Sequence, residues 1–244
     1  MRRVGPRAGL WGAVLGALAL IACHNAPQGD DAAFGKRVRA YLLSHPEVLQ
    51  EVGQKLEARE AASEDAARLR AQASLPSLRQ AIERDPNDFV ANPKGPVTVT
   101  EFFDYRCPHC VNAAPKVLAL IKADPKVRFV FKEMPIFGPL SDHAALAAIA
   151  VKRAGGDYLG LYRAFMSARP LDDAMVTSVA LADGARPEDL TAGGAARGHL
   201  QIARNTALFN KLDLGGTPAF IIGDQIVLGD DMTAVAAAVA KAES

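Results

Sequence analysis

The feature that most constrains this chain is a strand pattern that runs directly into a Cys-Pro-His-Cys sequence at residues 97–110. The first half of this stretch is rich in β-branched and aromatic residues, which predicts a buried strand. After Cys110, apolar residues recur at helical spacing at Val111, Ala114, Val117, Leu118 and Ile121. The two cysteines are therefore expected on the first turn of a helix that follows a buried strand.

This placement favours redox chemistry at the two thiols. Residues three apart on a helix are neighbours, so Cys107 and Cys110 can form a disulfide without backbone movement. Pro108 suits the first helical turn, where no amide donor is missed. Cys107 faces unpaired N–H groups and the positive end of the helix dipole, and His109 adds a cation beside it. Because these effects stabilise the thiolate, they make the disulfide a stronger oxidant.

Three other roles for the cysteines have to be compared with redox exchange. A structural disulfide across so short a loop would restrict the unfolded chain very little. A zinc site needs further ligands, and the chain has no second cysteine pair to supply them. Copper binding by the two thiolates is the remaining alternative, but a strand that leads into a proline-containing pair favours exchange.

The sequence Glu101-Phe-Phe-Asp-Tyr-Arg-Cys-Pro-His-Cys110, with Gly216-Thr-Pro-Ala-Phe-Ile-Ile222 further along, resembles the DsbA-like thiol:disulfide oxidoreductases of the thioredoxin superfamily. The resemblance extends from about residue 85 to the C-terminus. It implies a disulfide between Cys107 and Cys110, with Cys107 as an exposed nucleophile and the more buried Cys110 as the resolving thiol. His109 is expected to tune the pair, the alternative being an exposed histidine without a role.

The resemblance also implies four supporting residues. Pro218 is expected to be a cis-proline that faces the cysteines and leaves the Thr217 backbone free for an extended substrate, although a trans proline at a strand start is the alternative. Glu101 is expected to be buried near Cys110 and to accept its proton. Lys132, on the adjacent strand, is expected to pair with Glu101 or else to be exposed.

Residues 1–23 have the pattern of a targeting segment, with a basic start, an apolar stretch too short for an ordinary membrane span and the sequence Leu20-Ile-Ala-Cys23. That sequence resembles the bacterial lipobox, which implies lipidation of Cys23 and membrane attachment. An ordinary cleaved signal peptide is the alternative. Either reading indicates the bacterial periplasm or envelope, and the inner and outer membrane remain open.

Residues 24–84 are expected to form a helical N-terminal arm with a helix boundary near Ser44. Residues 57–74 mix alanine with charged residues and have almost no apolar stripe, so this part is either a solvated spacer or an oligomerisation arm. Some DsbA-like relatives of the copper-sensitivity-suppressor type have a comparable extension that assembles them, which favours a homo-oligomer here.

Residues 85–244 are expected to form the DsbA-like domain. The order strand, helix, strand, helical insert at about 140–212, strand, strand and helix predicts an α/β thioredoxin fold with a helical insertion. The net charge is +1, from 28 basic and 27 acidic residues, which argues against a nucleic-acid partner. No nucleotide, phosphate or flavin motif indicates an organic cofactor.

The predicted function is disulfide exchange in exported proteins. An oxidase would pass its disulfide to reduced substrates and be reoxidised by a membrane redox partner, whereas an isomerase would be kept reduced and act on misoxidised proteins. Pro-His between the cysteines favours the oxidase and an assembled arm favours the isomerase, so the direction stays open. The alternative from another class is a non-catalytic surface lipoprotein, such as a copper-binding protein that keeps the thioredoxin fold.

Overall fold

A computed structural model describes residues 28–243, so the targeting segment and Cys23 lie outside the described residues. The chain divides into two compact units between Ala62 and Ser63. Among the helices of the described part, none combines the length and the apolar character that a membrane crossing requires.

The first unit contains helix α1 (Gln28–Ser44) and the beginning of helix α2 (Glu47–Glu83). The helix boundary near Ser44 follows the prediction. Seven large apolar side chains of this unit are exposed, namely Phe34, Val38, Tyr41, Leu43, Leu49, Val52 and Leu56. A shallow groove of about 390 Å³ lies between the turns that carry Phe34, Val38 and Leu49. The unit therefore has an apolar surface that its own described residues do not cover.

The second unit is built on a five-stranded sheet with strand order β1-β3-β2-β4-β5. The strands are β1 (Phe89–Ala91), β2 (Val97–Phe103), β3 (Val127–Glu133), β4 (Ala219–Ile222) and β5 (Gln225–Leu228). Strands β2 and β3 are parallel, and the other pairs are antiparallel. Every residue of β2 and β3 is buried, because helices cover both faces of the sheet.

Six helices complete this unit: α3 (Pro108–Ala123), α4 (Pro139–Ala154), α5 (Tyr158–Ser167), α6 (Asp173–Ala182), α7 (Ala196–Lys211) and α8 (Met232–Glu243), with a 3₁₀ turn at Pro187–Leu190. Helices α4 to α7 form the helical insertion. The odd-numbered residues of β2 and β3 pack toward α3, α4, α5 and α8, whereas Phe102 packs with residues of α2 and α7. The α/β thioredoxin fold with a helical insertion and an N-terminal helical arm is confirmed.

The second unit begins earlier than the predicted domain start at residue 85. Leu75 and Ile82, near the end of α2, are buried in one apolar cluster with Phe102 and Leu208. The last turns of α2 are therefore part of the core of the sheet, because their apolar residues cover one of its faces.

Candidate active site

The two cysteines lie where the sequence predicts, at the start of α3. Cys107 is the N-cap residue, Pro108 occupies the first helical turn, and Cys110 lies one turn further on. Both are free thiols in this structure. Cys107 is only 2% exposed, although the sequence predicts an exposed nucleophile. The difference arises because the loop before β4 covers Cys107.

This loop contains Thr217 and Pro218, and the peptide bond between them is cis. The Cys107 thiol donates a hydrogen bond to the Thr217 carbonyl at 3.1 Å between Sγ and O. The backbone N–H of Gly229 donates to the Pro218 carbonyl at 2.8 Å, which ties the loop after β5 to the same place. The Thr217 backbone is therefore next to the Cys107 sulfur.

The surroundings of Cys107 favour its thiolate. The pKa of Cys107 is lowered to about 5, chiefly because the Cys110 thiol donates a hydrogen bond to it. Burial opposes this shift, while the Thr217 side chain and the backbone amides of Cys110 and His109 add to it. Most of this thiol is consequently ionised at neutral pH, and the thiolate is the nucleophile in disulfide exchange.

Cys110 is as buried as Cys107, but its pKa is shifted in the opposite direction. It is fully buried, and its pKa is raised far above the usual range by burial, by its hydrogen bond to Cys107 and by the charge of Glu101. The backbone N–H of Asp104 is 3.5 Å from its sulfur. Cys110 therefore remains a protonated thiol until it reacts, and a nearby group has to accept its proton.

Glu101 is the buried acid whose charge acts on the Cys110 thiol. It lies on the buried face of β2 that packs against α3, with 0% exposure. Burial raises the pKa of Glu101 to about 8, and the charge of Glu133 contributes to the rise. Neither carboxyl oxygen of Glu101 has a hydrogen-bond partner among the described residues.

The expected pairing of Lys132 with Glu101 is wrong. Lys132 is opposite Phe102 in the β2–β3 register and lies on the other face of the sheet from Glu101. Its ammonium group contacts Asp88 at 2.5 Å and donates to the Ala81 carbonyl at 2.7 Å. Lys132 is also not exposed, because the pair with Asp88 is completely buried.

His109 is the exposed member of the motif, with 65% of its side chain accessible. Its Nδ1 is 3.2 Å from a carboxylate oxygen of Asp230, and Asn112 donates to the other oxygen of Asp230 at 3.4 Å. Asp230 was not identified from the sequence. It follows Gly229, so the contact of Gly229 with Pro218 is what brings this distant carboxylate to the active-site helix.

Asp104 is a second residue that sequence reasoning missed. Its buried carboxylate accepts hydrogen bonds from the amides of Arg106, Ile136 and Phe137 and from the Ser141 hydroxyl. The side chains of Ile136 and Phe137 remain nearly half exposed beside the active-site loop. The signal in the sequence was an acidic residue at the end of a buried strand, where a loop needs acceptors for its amides.

The site has no evident metal-binding set. Within residues 28–243, no group of three or more histidine, cysteine, aspartate or glutamate side chains is arranged to hold a metal ion.

The chain matches two family models. Residues 98–240 match the DSBA-like thioredoxin domain, and residues 30–63 match the N-terminal domain of the copper resistance protein ScsC. The first match covers more than half of the chain. This chain belongs to the DSBA-like thioredoxin domain family. Its members include thiol:disulfide exchange oxidoreductases, and the Cys107–Cys110 pair of that chemistry is present here.

Several solved structures are similar to the chain. A thioredoxin-like oxidoreductase from Silicibacter pomeroyi DSS-3 is 37% identical, with a TM-score of 0.61, over 68% of this chain and 97% of that one. Proteus mirabilis ScsC in a transitional conformation is 27% identical, with a TM-score of 0.63, over 86% and 97% of the two chains. A periplasmic thioredoxin-like protein from Salmonella enterica serovar Typhimurium is 27% identical, with a TM-score of 0.62, over 68% and 95%.

Similarity to curated proteins is limited to a short region. The Na(+)/H(+) antiporter NhaA 1 of Salinispora arenicola is 37% identical over 73 residues, which cover 29% of this chain. This chain spans only 11% of the length of that relative.

Proposed function

We propose that this protein catalyses disulfide exchange in exported proteins of the bacterial envelope through Cys107 and Cys110. The observation that carries the proposal is the contact of the Cys107 sulfur with the Thr217 carbonyl beside cis-Pro218. It puts the nucleophilic sulfur next to a backbone segment with which an extended peptide can pair. The targeting segment and the periplasmic relative from Salmonella support the location.

In isomerisation, the Cys107 thiolate attacks one sulfur of a wrongly paired substrate disulfide. A mixed disulfide forms, and the second substrate sulfur leaves with the bonding electrons as a thiolate. Another substrate thiolate can then displace Cys107. If none does so, Cys110 loses its proton and attacks the Cys107 sulfur, which releases reduced substrate and leaves the protein oxidised. Oxidation of a substrate follows the same steps in reverse.

The N-terminal arm supports assembly of several copies and therefore isomerisation. The apolar side chains of α1 and α2 are half or more exposed at most of their positions, which is unusual for a surface that contacts only water. Residues 30–63 also match the N-terminal domain of ScsC. We propose that second and third copies of this arm cover the apolar surface and bring several active sites together around one substrate.

The test is the reactivation of scrambled ribonuclease and, separately, the oxidation of reduced ribonuclease, both with a chain in which Cys23→Ser leaves Cys107 and Cys110 as the only thiols. We expect reactivation by this protein and none by its Cys107→Ser variant. Absence of activity on both substrates, with retained stoichiometric copper, would favour the copper-binding alternative.

The role of the arm is tested by the double variant Val52→Asp and Leu56→Asp, which places two charges on the apolar face. Gln54→Asp is the matched control, since Gln54 lies on the opposite side of the same exposed helix. We expect the double variant to sediment as a monomer and to keep oxidase activity while it loses reactivation of scrambled ribonuclease. If both variants remain assembled and active, the apolar face does not hold the copies together.

A further inference from the structure

A second buried acid, Glu133, lies near Glu101 on the same face of the sheet. Glu101 is opposite Phe131 in the parallel β2–β3 pair, and Glu133 follows two residues later on that face. Two residues along a strand span about 6.6 Å and neighbouring strands lie about 4.8 Å apart, so the two backbone positions are about 8 Å apart, which is within reach of two glutamate side chains. Both side chains are buried, with exposures of 0% and 2%.

The two acids have different hydrogen-bond partners. Glu133 Oε1 accepts hydrogen bonds from the hydroxyls of Tyr105 at 3.0 Å and Tyr158 at 2.6 Å. Among the described residues, no donor is at hydrogen-bond distance from either oxygen of Glu101. The Tyr162 hydroxyl beside it lowers the pKa of Glu101, but by less than burial and the charge of Glu133 raise it. An unpartnered carboxylate in an apolar interior is costly. Glu133 is therefore the acid that ionises first, and Glu101 is the one that keeps its proton.

The charges around the two acids also favour ionisation of Glu133 before Glu101. Burial raises the pKa of both acids to about 8, the two tyrosine hydroxyls lower that of Glu133, and the charge of Glu133 raises that of Glu101. The titratable groups that act on the pair are Asp88 before β1, Asp104 and Tyr105 after β2, Cys107 and Cys110 at the start of α3, and Tyr158 and Tyr162 on α5. The acids titrate as a coupled pair and not as two independent groups.

We propose that Glu133 is a positioning residue that keeps a proton on Glu101 for exchange with Cys110. This inference rests on the proposed function. When a substrate thiolate attacks Cys107 of the oxidised protein, the S–S bond breaks and Cys110 leaves as a thiolate with the bonding electrons. Protonated Glu101 then gives its proton to that sulfur. When Cys110 later attacks a mixed disulfide, the same proton returns to the Glu101 carboxylate.

The first test compares Glu133→Gln with the unmodified chain in the reduction of the protein disulfide by dithiothreitol from pH 5 to pH 9. At each pH, the rate of the variant is divided by the rate of the unmodified chain. This ratio cancels the effect of dithiothreitol ionisation, which is the same in both reactions. Loss of a neighbouring buried charge lowers the pKa of Glu101 by about one to two units. Because about half of Glu101 is protonated at pH 8 in the unmodified chain, we expect equal rates near pH 5. Near pH 8 we expect a rate for Glu133→Gln that is about fivefold lower for a shift of one unit and about fiftyfold lower for a shift of two. Glu101→Gln should be slow at every pH.

The second test measures the carbonyl stretch of protonated carboxyl groups by infrared difference spectroscopy as a function of pH. The unmodified chain is compared with Glu133→Gln and with Tyr158→Phe. Tyr158→Phe removes the 2.6 Å hydrogen bond from Glu133 but keeps the aromatic ring that stacks on Phe89. We expect the titration of the pair to move to lower pH in Glu133→Gln and to higher pH in Tyr158→Phe. The second variant keeps the test decisive if Glu133→Gln does not fold.

The outcomes separate this inference from the proposed function. If the unmodified chain fails to reactivate or oxidise ribonuclease, the proposed function is wrong. If the unmodified chain is active but the rate ratio for Glu133→Gln is independent of pH and the infrared midpoints coincide, Glu133 has only a structural role and the inference is overturned.

Discussion

The hydrogen bond from Cys110 to Cys107 makes a prediction that can be tested on one thiol. It is the largest cause of the low pKa of Cys107. A hydrogen bond to a charged acceptor contributes about 1.5–3 kcal/mol, and one pKa unit corresponds to about 1.36 kcal/mol. Replacing Cys110 by alanine should therefore raise the pKa of Cys107 by about one to two units. From its present value of about 5, it would then titrate between about 6 and 7.

The matched control is Cys110→Ser, because serine retains a hydroxyl that can donate to the Cys107 thiolate. We expect its titration to stay near the unmodified value of about 5. All proteins should carry Cys23→Ser so that only Cys107 titrates in the two Cys110 variants. The measurements are the ultraviolet absorbance of the thiolate and the rate of alkylation as functions of pH.

Two results would refute this reasoning. If Cys110→Ala titrates at the same pH as Cys110→Ser, the backbone amides and the Thr217 side chain suffice to stabilise the thiolate. If both variants titrate near the ordinary pKa of a cysteine, the geometry of the helix start depends on the Cys110 sulfur itself. Near-ultraviolet circular dichroism should show that both variants keep the native packing, since Cys110 is completely buried.

Two further predictions concern stability. Lys132→Met leaves Asp88 buried without its cation and should reduce the free energy of unfolding, measured by urea denaturation, by about 3–5 kcal/mol. Adding Asp88→Asn should recover most of this loss. No loss in the single variant would mean that the pair contributes nothing to stability. The pKa of Glu101 is about 8 in the folded state and about 4.3 in an unfolded chain, so its contribution to stability falls as the pH rises through this range. Glu101→Leu should therefore stabilise the fold by up to about 4 kcal/mol at pH 7 and by almost nothing at pH 4, whereas an equal effect at both pH values would show that the acid does not keep its proton in the folded state.

Most of the fold could be predicted from the sequence, because the signals were local. The strand that leads to Cys107, the alternation from Val127 to Lys132 and the hairpin around Gly223 each contain enough pattern to define an element. The start of the second unit was harder to predict. Leu75 and Ile82 belong to a long polar helix, and only the tertiary structure shows that their face of it covers the sheet.

The wrong prediction for Lys132 has a simple physical cause. Strand adjacency predicts that Lys132 is a neighbour of Glu101 only if both side chains lie on the same face of the sheet. Since side chains alternate along a strand, Val127, Phe129 and Phe131 share a face with Glu133, and Lys132 lies on the other. The same pattern would have excluded Lys132 and pointed to Glu133.

The separation of charges between the two faces has a chemical consequence. On one face the buried ammonium group of Lys132 contacts Asp88, and the two opposite charges neutralise each other. On the face beneath Cys110, Glu133 accepts hydrogen bonds from two neutral hydroxyls. In the described part of the chain, no donor is at hydrogen-bond distance from the Glu101 carboxyl, and the Tyr162 hydroxyl that acts on it is neutral as well. A lysine beside Glu101 would hold that carboxyl ionised at neutral pH. The leaving Cys110 thiolate would then lose its proton donor, so the pairing first expected from the sequence would oppose the proton transfer that we propose for this site.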